Sequence, residues 1–282
     1  YNTLSQDNIA FMIGCVASME ITWDIFGILL GGTLIVALGV ADDVYQLPAK
    51  VKLLGQIAAA CVLVIFDIRI EWVNNPLGGY FYLDMLSIPF TIFWVISFTN
   101  VVNLIDGLDG LAAGVSAIAS LTVILVSVQM GYFHVAILTA ALAGAIIGFI
   151  RYNFNPATIF MGDTGSLTIG GIIAVAAICI HKELLLPLLC GVFLLESLSV
   201  ILQRFYYKTG KKRGLHRRIW KRTPIHDHFR TSMDQVLRAD PTSTVCFKGN
   251  DKKLQFETKI TLRTWIVSIG LAIITLLTLK IR

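Results

Sequence analysis

The stretch NVVNLIDGLDGLAAG, residues 100–114, sets two carboxylates, Asp106 and Asp109, and two carboxamides, Asn100 and Asn103, between two long apolar runs. Its meaning depends on what those runs are. Of 282 residues 56% are apolar and only 15% are charged, whereas a soluble domain carries about 25% charged residues. Apolar runs of helix length recur at 25–41, 51–67, 86–102, 111–129, 133–150, 165–180, 184–202 and 264–280, with a weaker one at 9–22. Each is near the ~20 residues that a helix needs to cross a bilayer. The chain therefore reads as an all-α, polytopic membrane bundle of eight or nine spans. It forms one transmembrane domain over 1–282, within which 203–263 is a long basic loop bearing histidines. It opens on Tyr1 with no basic leader before an apolar core, and reads as truncated, with N-terminal helices missing.

Alternating the runs across a membrane sorts the loops. Loops 42–50, 103–110, 151–164 and 203–263 fall on one side; loops 68–85, 130–132 and 181–183 fall on the other. Arg69, Lys182, Lys280 and Arg282 lie on the second side, which leaves 19 of the 23 Lys and Arg on the first. Basic residues mark the cytoplasmic side. Asp106 and Asp109 then lie at the cytoplasmic end of a helix, outside the hydrocarbon, where Gly107 and Gly110 let the backbone turn. The expected location is the inner (cytoplasmic) membrane, multi-pass, with the polar loops facing the cytoplasm.

Three more polar motifs share that face: ADDVYQLPAK (41–50), RYNFNPATIFMGDTGS (151–166) and RTPIHDHFR (222–230). Together they bring Asp42, Asp43, Asp106, Asp109 and Asp163 to one side. Clustered carboxylates raise one another's pKa unless a cation sits among them. A hard divalent ion suits them, because Mg²⁺ takes one or two carboxylates and completes its shell with water and phosphate oxygens. Asp163 precedes a helix expected from about Ser166, and free N–H groups at a helix start attract anions. A metal beside an anion site suggests phosphate chemistry. Each acid taken singly also reads as a cap or turn residue.

His226 and His228 flank Asp227. Zinc is a weak reading for them, since the pair is two residues apart with no cysteine close by. A surface loop or contact with a substrate phosphate remains. The basic run KTGKKRGLHRRIWKR (208–222) is accounted for by orientation and by anionic membrane lipids, and no nucleic acid is expected. His134 and His181 fall on the opposite face and are assigned no function. The five cysteines show no paired spacing and read as small apolar residues. Glu196, inside the run 184–202 with Ser197, Ser199 and Gln203 nearby, reads as a hydrogen-bonding group facing the bundle interior.

At DDVYQLPAKVKLLGQ, NVVNLIDGLDGLAAG, NFNPATIFMGDTGS and PIHDHF the chain resembles the polyprenyl-phosphate N-acetylhexosamine-1-phosphate transferases, the MraY and WecA/TagO superfamily. Residues 25–150 resemble the WecA/TagO branch, and residues 155–282 resemble MraY of the Bacteroidetes type. The resemblance implies transfer of a sugar-1-phosphate from a UDP-linked N-acetylhexosamine to undecaprenyl phosphate, with release of UMP and with Mg²⁺ as cofactor. It implies Asp163 as the metal ligand and Asp42 and Asp43 as the pair handling the lipid phosphate. It places Asp106 and Asp109, with Asn100 and Asn103, in the catalytic and nucleotide region. Asn153 and Phe160 would line the uridine pocket, with Phe160 stacking on uracil, and His226 and His228 would sit near the diphosphate and sugar. The usual MraY loop has three consecutive histidines, and here Asp227 is the middle one. MraY's lysine after the acid pair is Gln46 here, with Lys50 or Lys52 as its stand-in.

Two donors fit: a UDP-MurNAc-pentapeptide, giving lipid I, or a UDP-GlcNAc, as in polymer-initiating enzymes of the WecA/TagO type. The histidine motif nearest the sugar favours the first. A homodimer is compatible with both. A membrane transporter using the same acids as an ion path is the alternative of another class, and it expects acids inside the spans.

Overall fold

The computed structural model describes residues 23–74, 79–212, 218–239 and 249–280. The expected run at 9–22, Cys15, Cys246 and the middle of the basic run lie outside them. Ten helices are seen among the described residues. They are α1 (Trp23–Tyr45), α2 (Ala49–Ile65), α3 (Ser87–Ile105), α4 (Leu111–Gln129), α5 (Phe133–Asn153), α6 (Gly162–Cys179), α7 (Leu185–Leu189), α8 (Gly191–Lys212), α9 (Ile225–Ala239) and α10 (Gly249–Lys280). A small antiparallel hairpin, β1 (Trp72–Asn74) and β2 (Tyr80–Tyr82), pairs Trp72 with Tyr82 and lies in the stretch read as loop 68–85.

Among the described residues six stretches are long and apolar enough to cross a membrane: α1, α3 with the turn before it, α4, α5, α6 and residues Phe256–Leu279 of α10. This is a multi-pass membrane protein. Helix α2 has 17 residues, just under span length. The run 184–202 divides at Cys190 into α7 and α8, where Gly191 leaves room for Leu271 of α10. The stretch 203–263, expected as a loop, carries the end of α8, all of α9 and the start of α10.

Helix α6 is the centre of the bundle: every residue from Thr164 to Ile178 is buried. Its small residues allow backbones to touch, as membrane helices require where no hydrophobic force draws them together. A Cβ on Gly39 of α1 would lie 2.5 Å from Thr164 Cα, and one on Gly170 would lie 2.7 Å from the Phe98 carbonyl of α3. Thr99 and Thr168 donate their hydroxyls to the carbonyls one turn back, of Val95 and Thr164, so these two donors are satisfied within their own helices. Helices α4 and α5 form a hairpin, and α10 packs on α4. Gly114 is the contact point, since the Trp265 indole occupies the space a Cβ would fill.

Candidate functional site

The bundle collects the four polar motifs at one end. The opposite end holds the hairpin, where His181 stacks on Trp72 with ring centroids 4.6 Å apart. That contact gives His181 a packing role at the far face.

Helix α6 begins one turn earlier than expected, at Gly162. Gly162 has φ +63, a left-handed turn that suits glycine. The N–H groups released at this helix start are taken by Asp43 at the end of α1. Its carboxylate accepts from Asp163 N at 2.9 Å, Thr164 N at 3.1 Å and Thr164 Oγ1 at 2.5 Å. The anion site expected at this terminus is thus filled from within the chain. Asp42, one residue earlier, is buried. Lys52 in the first turn of α2 places its ammonium between Asp42, at 2.7 Å, and Asp163. Asn103 of α3 donates Nδ2 to Asp163 Oδ1 at 2.8 Å and to Ser166 Oγ at 2.9 Å. Four helices therefore meet at Asp163. Asn100, one turn earlier on α3, donates to Gln56 Oε1 of α2 at 2.7 Å. Lys50 is exposed at the start of α2.

The loop after α3 is held from two sides. Asn153, at the end of α5 and 3% exposed, accepts the Gly110 N–H at 3.1 Å and donates to the Ile159 carbonyl at 3.0 Å. Asp109 Oδ2 accepts from Asn155 Nδ2 at 3.1 Å and from Ala157 N at 3.0 Å. From α10, Thr261 donates to the Asp109 carbonyl and Trp265 Nε1 to the Gly110 carbonyl, both at 3.1 Å. Asn153 and Asp109 thus tie loops together. Phe160 is 69% exposed, a free aromatic face beside the cleft. Asp106 is half-buried, and burial first, then the charges of Asp163, Asp43 and Asp109, push its carboxyl up to about 7.

The histidines reach this loop from α9. A Cβ on Gly107 would stand 2.6 Å from His226 Nε2, so the ring lies against the backbone beside Asp106. On the same helix His228 accepts the Lys221 N–H on its Nδ1 at 3.1 Å. Glu196 of α8, Thr261 and Trp265 complete the arrangement. Glu196 was visible as an acid inside an apolar run, whereas Thr261 and Trp265 carry no signal of their own.

Among the described residues no three His, Cys, Asp or Glu side chains converge as a ready metal site. The pair Asp42 and Asp163 nevertheless fits Mg²⁺. It already shares one cation, offers only hard oxygen donors, and keeps Asp42 Oδ1 buried without a hydrogen-bond donor.

Residues 25–181 match glycosyl transferase family 4. Proteins named phospho-N-acetylmuramoyl-pentapeptide-transferase are similar to this chain. That of Bacteroides fragilis is 55% identical over 213 residues, covering 70% of this chain and 50% of the relative. That of Bacteroides thetaiotaomicron is 55% identical over 212 residues, covering 70% and 49%. That of Flavobacterium psychrophilum is 42% identical over 229 residues, covering 76% and 50%. These alignments are longer than the stretch 155–282, so the likeness reaches into the first half of the chain. The chain spans about half the length of the curated relatives it matches. With more than half of it matched, the chain belongs to glycosyl transferase family 4.

Proposed function

We propose that this protein transfers phospho-N-acetylmuramoyl-pentapeptide from its UDP conjugate to undecaprenyl phosphate, releasing UMP and forming lipid I at the cytoplasmic face of the inner membrane. One observation carries the reading: Asp42, Asp43, Asp163, Lys52 and Asn103, from four helices, interlock beside Asp106 and His226 at the basic end of a membrane bundle. The names of the similar proteins supply the sugar.

In the transfer, an oxygen of the lipid phosphate attacks the sugar-bearing phosphorus, and the bond to the UMP oxygen breaks. The protein's part in such a step is position and charge. Lys52 supplies positive charge next to the acids. Asn103 and Asp43 hold Asp163 in place from its side chain and its backbone. His226 presents Nε2 at the acidic loop, and exposed Phe160 offers a stacking face for the uracil ring. Asp163, with Asp42 beside it, would hold Mg²⁺, which supplies charge neutralisation for the diphosphate and the leaving UMP. The excess of Lys and Arg at this end supports a cytoplasmic orientation.

The test is UMP release by the purified protein in detergent with Mg²⁺, undecaprenyl phosphate and either UDP-MurNAc-pentapeptide or UDP-GlcNAc. Release with the peptide-bearing donor alone is expected. Release with UDP-GlcNAc alone would replace the sugar, and release with neither would sink the reading. Asp163→Asn with full activity and unchanged Mg²⁺ dependence would remove Asp163 as the ligand.

A further inference from the structure

Glu196 lies in the middle of an apolar run, 6% exposed, and the transfer described above leaves it without a task. Its carboxylate accepts the backbone N–H of His226 at 3.2 Å on Oε1 and 3.3 Å on Oε2. Oε2 also lies 3.3 Å from His226 Nδ1, a close charge contact outside hydrogen-bond geometry. The imidazole is 3% exposed, and its other nitrogen, Nε2, abuts Gly107. The ring is therefore held between a carboxylate at one edge and the acidic loop at the other.

A carboxylate offers acceptors only, whereas a neutral imidazole has one N–H and one lone pair. A lone pair on Nδ1 would lie beside the negative charge of Oε2 and be repelled, whereas an N–H dipole there is attracted to it, so Nδ1 carries the proton. The surroundings strengthen the preference. Glu196 lines a largely apolar cleft of about 330 Å³ with Leu195, Ile225, Phe229, Phe256, Ile260 and Arg263, and the burial of both side chains magnifies such interactions. We infer that Glu196 is a positioning residue that selects the Nδ1–H tautomer of His226 and turns the Nε2 lone pair toward the acidic loop. There Nε2 accepts a hydrogen bond from an N–H or O–H group of the bound substrate. A capping role alone, through the backbone N–H, would leave the tautomer unspecified. The benefit to turnover rests on the proposed transfer reaction; the tautomer does not.

The experiment is ¹⁵N NMR of the protein labelled at its five histidines, in nanodiscs at a pH where imidazoles are neutral. The His226 signals are identified by their loss in His226→Asn. A pyrrole-type Nδ1 and a pyridine-type Nε2 are expected. Glu196→Leu, which removes the acceptor, should shift His226 to the Nε2–H form that free imidazole prefers. It should also lower kcat/KM about tenfold, the worth of one hydrogen bond. A proton on Nε2 in the wild type, or an unchanged tautomer in Glu196→Leu, overturns the inference. Should Glu196→Leu fail to fold, the wild-type tautomer decides alone. Wild-type protein with the expected tautomer and no UMP release from either donor would defeat the transfer reading and leave this assignment standing.

Discussion

Asp43, at the end of α1, caps the start of α6: one carboxylate takes the N–H groups of both Asp163 and Thr164. Each residue of the acid pair therefore has its own attachment, Asp42 to Lys52 and Asp43 to the helix that carries Asp163. Removing a charged cap costs about 0.5–2 kcal/mol. Asp43→Ala should destabilise the protein by about that amount in thermal unfolding, and should lower activity because Asp163 loses its backbone support. A variant as stable as wild type would separate Asp43 from α6.

Lys52 neutralises two acids at once. Lys52→Met leaves Asp42 and Asp163 facing each other without a cation. The pair is partly exposed, so the loss is discounted to about 1–2 kcal/mol. Millimolar Mg²⁺ should recover part of it, giving a larger Mg²⁺-dependent rise in melting temperature in the variant than in wild type. Equal shifts in the two proteins would place the metal elsewhere.

Asp106 gives the stability a pH dependence of known sign. Its carboxyl moves from 3.8 to about 7 on folding. Its favourable contribution is complete below 3.8 and is lost as pH rises through 7, because over that window the folded form alone holds the proton. In metal-free buffer stability should fall across this window by up to about 1.4 kcal/mol per pH unit. Glu183, raised by burial to about 7, adds a slope of its own, so the informative quantity is the difference between wild type and Asp106→Asn. The variant should lack this share of the slope and be the more stable protein above pH 7. Parallel stability profiles would contradict it.

Phe160 is exposed and packs little, so Phe160→Ala should change stability by less than about 0.5 kcal/mol. Stacking on a base contributes about 1–3 kcal/mol. The same substitution should therefore raise KM for the UDP-sugar roughly tenfold. An unaltered KM would remove Phe160 from the nucleotide site.

Gly114 has no room for a side chain beside Trp265. Gly114→Val should cost about 1–3 kcal/mol through overpacking, and it should lower activity, since Trp265 also binds the Gly110 carbonyl. Activity retained at wild-type level in a folded variant would show that α10 is dispensable to the loop.

The apolar runs made the bundle legible because a 3.6-residue helix in hydrocarbon needs little beyond length and apolarity. The polar motifs stood out for the same reason, since each interrupts such a run. Interactions across the bundle had no such mark. Nothing local to Lys52 says that it bridges acids 10 and 111 residues away, and nothing local to Asn153 says that its carboxamide joins Gly110 to Ile159. The division at Cys190 was hidden because Leu185–Leu189 and the start of α8 are equally apolar. Glu196 was noticed, but its partner lies 30 residues on, across a turn of the chain that periodicity cannot fold.

Helix α10 supplies Thr261 and Trp265 to the acidic loop, yet it follows every other described element in the chain. During synthesis the loop is therefore made long before the residues that restrain it emerge from the ribosome. Between those two moments Asp106 and Asp109 belong to a cleft without its final tethers. The last restraint on the loop is thus also the last to be synthesised: Trp265 reaches the Gly110 carbonyl and packs over Gly114 only once α10 has been made.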